Sequence, residues 1–158
     1  MARSTFFSFH SRDTQRVMNV RKSQAFRRSG EALGFIDKAE WRKLEEQGDE
    51  VTRRWIDEQL ERTTVTVVLI GARTAGRKWI DYEIRKSAER GNGFLGVRIH
   101  KLRDWFRRRD SPGCNPFENH KLRGYGRLSG PPIYDWVDDD GRRSIDTWIE
   151  AAAKLAGR

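Results

Sequence analysis

Thr64-Val65-Thr66-Val67-Val68-Leu69-Ile70, ended by Gly71, is a β-branched run that is apolar at nearly every position. A strand with one face in water alternates apolar and polar residues. A run without that alternation is covered on both faces, the condition of an inner strand in a parallel α/β sheet. The flanking segments agree. Downstream, Arg77–Arg90 reads as a helix with Ile80, Ile84 and Ala88 in one row. Gly91-Asn92-Gly93 stops it, and Phe94–Ile99 is a further strand. Upstream, Asp49 is placed to cap a helix whose stripe is Val51, Trp55, Ile56 and Leu60. A shorter helix, Ala39–Gln47, precedes it around Trp41 and Leu44.

At the chain start, Thr5–His10 is aromatic and β-branched and predicts the first strand. Ser11 or Asp13 then caps a helix reaching about Ala25, with Val17 and Val20 inward. Gly34-Phe35-Ile36-Asp37 predicts a short second strand and Ile133–Val137 a last one. Ser144 opens a C-terminal helix carrying Ile145, Trp148, Ile149, Ala152 and Leu155. Residues 101–130 are basic, rich in Pro, Gly and Asn, and read as a long loop. The alternation of strand and helix implies one domain over residues 1–158. It is expected to be a flavodoxin-like, doubly wound α/β fold with a five-stranded parallel sheet in the order 2-1-3-4-5.

Composition bounds the function. Among 158 residues, 11% are aromatic, which argues against a disordered chain. No apolar run approaches the ~20 residues of a membrane span. Met1-Ala2-Arg3-Ser4-Thr5 has neither the apolar core of a secretion signal nor a Met-Gly myristoylation start, and the expected location is the cytoplasm, with no membrane partner. The single cysteine, Cys114, excludes an intrachain disulfide. With His10, His100 and His120 scattered, no thiolate zinc cluster is expected.

The net charge of +9 is concentrated in residues 1–30 and 98–109. It suits phosphate-bearing ligands or a solvated surface. Without a helix-turn-helix, RNP or finger pattern, the solvated surface is the favoured reading and nucleic acid the lesser one.

Gly91-Asn92-Gly93-Phe94-Leu95-Gly96 matches G-x-G-x-x-G, but it follows a helix and enters a strand, the reverse of a dinucleotide loop. Walker A, H-E-x-x-H and G-x-S-x-G are absent. A phosphorylated receiver needs an Asp where this chain has Ile70-Gly71. Lys78-Trp79-Ile80-Asp81-Tyr82-Glu83 carries more. Trp79 and Glu83 share a helix face in the first turns after the central strand, beside the sheet edge where such folds bind ligands. An acid beside a Trp in a cleft suits a cationic ligand. The spacing equally suits an edge-packed Trp and a solvated Glu paired with Arg77 or a neighbour of Arg90.

Phe6-Phe7-Ser8-Phe9-His10-Ser11-Arg12-Asp13-Thr14 resembles the first strand and loop of TIR (Toll/interleukin-1 receptor-like) domains. Thr66–Ile70 and Trp79-x-x-x-Glu83 resemble that family's third strand and signature helix. The likeness is closer to the bacterial TIR-like branch of Thoeris antiphage defence. It extends in order through Gly34–Asp37, Trp55-Ile56-Asp57, Tyr82-Glu83-Ile84, Gly91–Gly93, Asn115-Pro116-Phe117 and Tyr134-Asp135-Trp136. His10 stands where many TIR domains have Arg, and Ile80 where a Cys often follows the Trp.

The resemblance implies an enzyme that cleaves the nicotinamide–ribose bond of NAD and makes a cyclic ADP-ribose-type signal for a separate effector protein. NAD is the substrate, and no cofactor or metal is implied. Glu83 would be the catalytic carboxylate. Phe9 and His10 would line the nucleotide pocket and Trp79 pack its wall. Asp37 would shape the entrance, or serve only as a capping residue, and Arg12 would meet the pyrophosphate. The active form in this family can be a homo-oligomer. A non-enzymatic TIR adaptor acting by self-association, and a basic nucleic-acid-binding domain, are the alternative readings.

Overall fold

The computed structural model describes residues 3–23, 31–125 and 130–158. The elements are β1 (Thr5–Ser8), a 3-10 turn (Ser11–Asp13), α1 (Thr14–Lys22), β2 (Ala32–Leu33), α2 (Lys38–Glu46) and α3 (Asp49–Leu60). They continue as β3 (Val65–Ile70), α4 (Lys78–Glu89), β4 (Gly93–Arg98), β5 (Ile133–Asp135) and α5 (Gly141–Leu155). The strands form one sheet in the order β2-β1-β3-β4-β5, every pairing parallel. This is the architecture expected from the alternation. In register, Thr5 lies opposite Val65 and Ser8 opposite Val68, so β1 and β3 run side by side toward one edge.

β3 is buried at all six positions, which explains its unalternating composition. Val65, Val67 and Leu69 face a core built with Val17 and Val20 of α1 and Ile145 and Ile149 of α5. Val68 and Ile70 face the opposite layer with Ile80 and Ile84 of α4, Phe94, Phe117 and Leu122. Thr66 interrupts the apolar run on that second face. Its hydroxyl donates to Ser87 Oγ at 2.7 Å and accepts from Asn92 Nδ2 at 3.2 Å, so the Thr66 hydroxyl is not stranded.

Several boundaries differ from expectation. β1 ends at Ser8, two residues short of His10, because His10 already precedes the 3-10 turn. The second strand is Ala32–Leu33 and not Gly34–Asp37. Gly34 takes φ +86°, and a Cβ there would lie 2.5 Å from the Phe7 carbonyl oxygen, so the chain leaves the sheet at that residue. Asp37 instead caps α2: its carboxylate accepts from the Glu40 amide at 2.8 Å, and the Glu40 side chain returns to the Asp37 amide. Gly48, not Asp49, occupies the cap of α3, and Thr52 replaces Val51 in the buried stripe with Ile56 and Leu60.

α5 starts at Gly141, three residues before Ser144. Trp136 covers Gly141 so closely that a Cβ would lie 2.3 Å from its ring. The expected end of the first helix at Ala25 lies outside the described residues. Residues 101–125 contain no helix or strand, as the breakers predicted. Even so, Phe117 and Leu122 are buried against the α4 face, and Tyr125 Oη accepts from the Phe94 amide at 2.9 Å.

Candidate active site

The last residues of β1 and the first turns of α4 meet at the carboxyl edge of the sheet. Together with α2 and α3 they enclose a cavity of about 340 Å³. Phe9, His10 and Ser11 come from the segment that follows β1, and Ile36 from the turn after β2. Trp41 and Glu45 come from α2, and Asp49 and Trp55 from α3. Arg77 precedes α4, whose Lys78, Trp79 and Glu83 complete the wall.

Glu83 is only 5% exposed. Its helix brings it inward on the same face as Ile80, Ile84 and Ser87. The Ser8 hydroxyl donates to its Oε2. Among the described residues no cation pairs with it, which removes the reading of a solvated Glu in an ion pair with Arg77. Arg77 turns elsewhere, its Nε donating to the Arg73 carbonyl at 3.0 Å. Burial pushes the Glu83 carboxyl up to about 8, against the opposing hydrogen bond from Ser8. At neutral pH Glu83 is therefore mostly the neutral acid. A cation arriving in the cavity favours its ionised form.

Trp79 is half-buried. Its ring meets Tyr82 edge-on at 5.7 Å, and the Lys78 ammonium lies 4.8 Å from its centroid. Lys78 is also bonded to Asp49, tying α4 to α3 across the cavity mouth. Trp41 and Trp55 pack edge-to-face at 6.1 Å on the far wall. The His10 imidazole is held below its usual range, first by burial and then by the charges of Arg77, Arg73 and Lys38. It is therefore neutral at neutral pH.

Of the residues singled out from the sequence, Phe9, His10, Trp79 and Glu83 line this one cavity. Asp37 is the cap of α2 and is not on its wall. Arg12 lines a separate hollow with Asp13, Ala72, Arg73 and Asp110. Ser8 was missed. Its signal is a small hydroxyl residue closing a buried aromatic strand, a position that needs a polar partner. The sequence marks Trp41 and Trp55 as helix residues, Trp55 also within the family likeness, and neither as part of a cavity. Their part in the cavity depends on how those helices fold over the sheet edge. Among the described residues no cluster of His, Cys, Asp or Glu is placed to hold a metal, and no helix is long and apolar enough to cross a membrane.

Residues 6–104 match the family described as "Thoeris protein ThsB, TIR-like domain", a span that runs from the second residue of β1 through β4 and includes every cavity residue named above. A curated relative from Bacillus cereus (strain MSX-D12), named "Putative cyclic ADP-D-ribose synthase ThsB1", is 32% identical. The alignment covers 94% of this chain and 100% of that protein. On sheet order, matched span and similarity over nearly its whole length, the chain belongs to the TIR-like domain family of the Thoeris protein ThsB.

Proposed function

We propose that this chain is an NAD-consuming enzyme of Thoeris antiphage defence. It cleaves the nicotinamide–ribose bond and closes the remaining ADP-ribose into a cyclic signal for a separate effector. The observation that carries this reading is Glu83, a buried carboxyl on the wall of an aromatic cavity with the Ser8 hydroxyl as its polar partner. The family relationship and the relative's name support it.

The chemistry suits such a site. Nicotinamide leaves from a cationic pyridinium, and both electrons of the breaking C–N bond return to the ring nitrogen. The departing group is neutral and needs no general acid. The barrier lies in the oxocarbenium-like ribose carbon, whose positive charge a close carboxylate stabilises in a water-poor pocket. The pyridinium itself helps create that carboxylate, because a nearby positive charge lowers the proton affinity of Glu83.

Ser8 holds Oε2 of Glu83, leaving Oε1 for a ribose hydroxyl. Phe9, Trp79 and the Trp41–Trp55 pair limit water. Limiting water favours attack on the ribose carbon by the adenosine half, which gives the cyclic product; admitted water gives linear ADP-ribose.

The test is chromatography with mass detection after NAD is added to lysate from phage-challenged cells expressing the protein. The expected products are nicotinamide and an equal amount of a species with the mass of ADP-ribose less one water. No nicotinamide above that from cells lacking the protein contradicts the proposal.

A further inference from the structure

The cavity is small for a whole dinucleotide. Its volume of about 340 Å³ is near the lower end of the ~300–1,000 Å³ typical for drug-sized ligands, and a dinucleotide exceeds those. With the reacting ribose against Glu83, the diphosphate must emerge at the rim. Arginine stands on one side of that rim. Arg77 lines the cavity, and its Nε holds the carbonyl of Arg73 at 3.0 Å. Arg73 and Arg12 wall a second hollow of about 240 Å³, and Arg12 directly follows Ser11, which lines the first. His10, on the wall of the first, experiences the positive charge of both Arg77 and Arg73.

These cations lack counterions. Some surface cations elsewhere are paired, as Arg3 is with Glu150, Lys101 with Asp135 and Asp138, and Arg143 with Asp140. Among the described residues no carboxylate lies within ion-pair distance of Arg12, Arg73 or Arg77. The two acids of the second hollow, Asp13 and Asp110, are engaged by Arg16 at 3.7 and 3.8 Å. Three unpaired guanidinium groups along one rim repel one another, and an anion with several oxygens relieves that repulsion while taking forked hydrogen bonds.

We propose that Arg77 and Arg73, with Arg12, form a diphosphate-binding rim that joins the catalytic cavity to the second hollow. The inference rests on the NAD reading of the cavity. Gripping the substrate at its diphosphate leaves the adenosine free to turn back toward the reacting ribose, as ring closure requires.

The experiment is calorimetric titration of ADP-ribose, which keeps the diphosphate and lacks the scissile bond. It compares the full chain, the Arg73→Ala/Arg77→Ala double variant and an Arg142→Ala/Arg143→Ala control that removes equal charge from α5. Losing charge-assisted hydrogen bonds at the rim weakens binding about ten-fold or more. The control stays within about three-fold, since its charges are distant and screened. Equal affinity for all three proteins, equal weakening in both doubles, or no binding to the unaltered chain overturns the proposal. This readout is independent of turnover. A chain that binds ADP-ribose through Arg73 and Arg77 but releases no nicotinamide keeps the rim and loses the enzymatic reading. An active chain whose KM for NAD is unmoved in the double variant keeps the enzymatic reading and loses the rim.

Discussion

Glu83 has an acid–base signature that follows from its burial. Its carboxyl is raised from an ordinary value of 4.5 to about 8 in the folded protein. If the reaction needs the carboxylate in the free site, kcat/KM for NAD rises with pH until about that value and then levels. Ser8→Ala removes the one hydrogen bond that favours the ionised form, so its rising limb is expected at higher pH, with activity recovered in alkaline buffer. A limb that does not move excludes Ser8 from tuning the acid.

Stability carries the opposite sign. Below pH 4.5 the proton is bound in both the folded and unfolded states. Between there and about 8 the unfolded chain releases a proton that the fold retains, so stability falls as pH rises. Glu83→Gln removes this penalty. It is expected to melt near the parent at low pH and to be more stable above pH 8, by about 1–4 kcal/mol, since a ten-fold change in proton affinity is worth ~1.4 kcal/mol. Denaturant melts at both pH values check it. Spacing alone placed Glu83 beside Trp79, but its depth was not legible, because burial depends on how α2 and α3 close over α4. Ser8 was hidden for the same reason.

At the scale of the elements, the apolar run of β3 and the stripe of α4 were readable because each pattern reports burial directly. Boundaries next to β1 were not. Gly34 ends β2 through close contact with Phe7 and Phe6, a tertiary constraint that no local pattern states. Asp37 was therefore set at a strand end when it begins a helix.

Its capping box predicts that Asp37→Ala lowers stability by about 1 kcal/mol while leaving the KM for NAD unchanged. Thermal melts and initial rates separate the two effects. A raised KM with intact stability would return Asp37 to the pocket entrance.

Across the whole molecule, alternation of strand and helix called for a doubly wound parallel sheet, because parallel strands need crossovers that cover both faces, and 2-1-3-4-5 was its simplest order. What alternation did not reveal is that the stretch after β4 closes one of those faces. Phe117, 3% exposed, packs edge-to-face on Phe94 at 5.9 Å, and His120 Nε2 lies 3.0 Å from Asp81 Oδ1 on α4. Breakers reveal the absence of regular structure but not the presence of packing. Phe117→Ala is expected to cost about 3–5 kcal/mol by denaturant melt, the usual range for emptying a buried aromatic site. A cost below 1 kcal/mol would mean that this segment does not seal the α4 layer.

The cavity brings residues from four elements around one acid, and the account stands on what that acid does to NAD. The most direct measurement is nicotinamide release from NAD by the purified chain and by Glu83→Gln, at equal concentration and with matched circular dichroism. The account predicts clear release by the parent and a loss of about a hundred-fold or more in the variant, the scale of removing one group that stabilises developing charge. Release by Glu83→Gln at the parent's rate would contradict it.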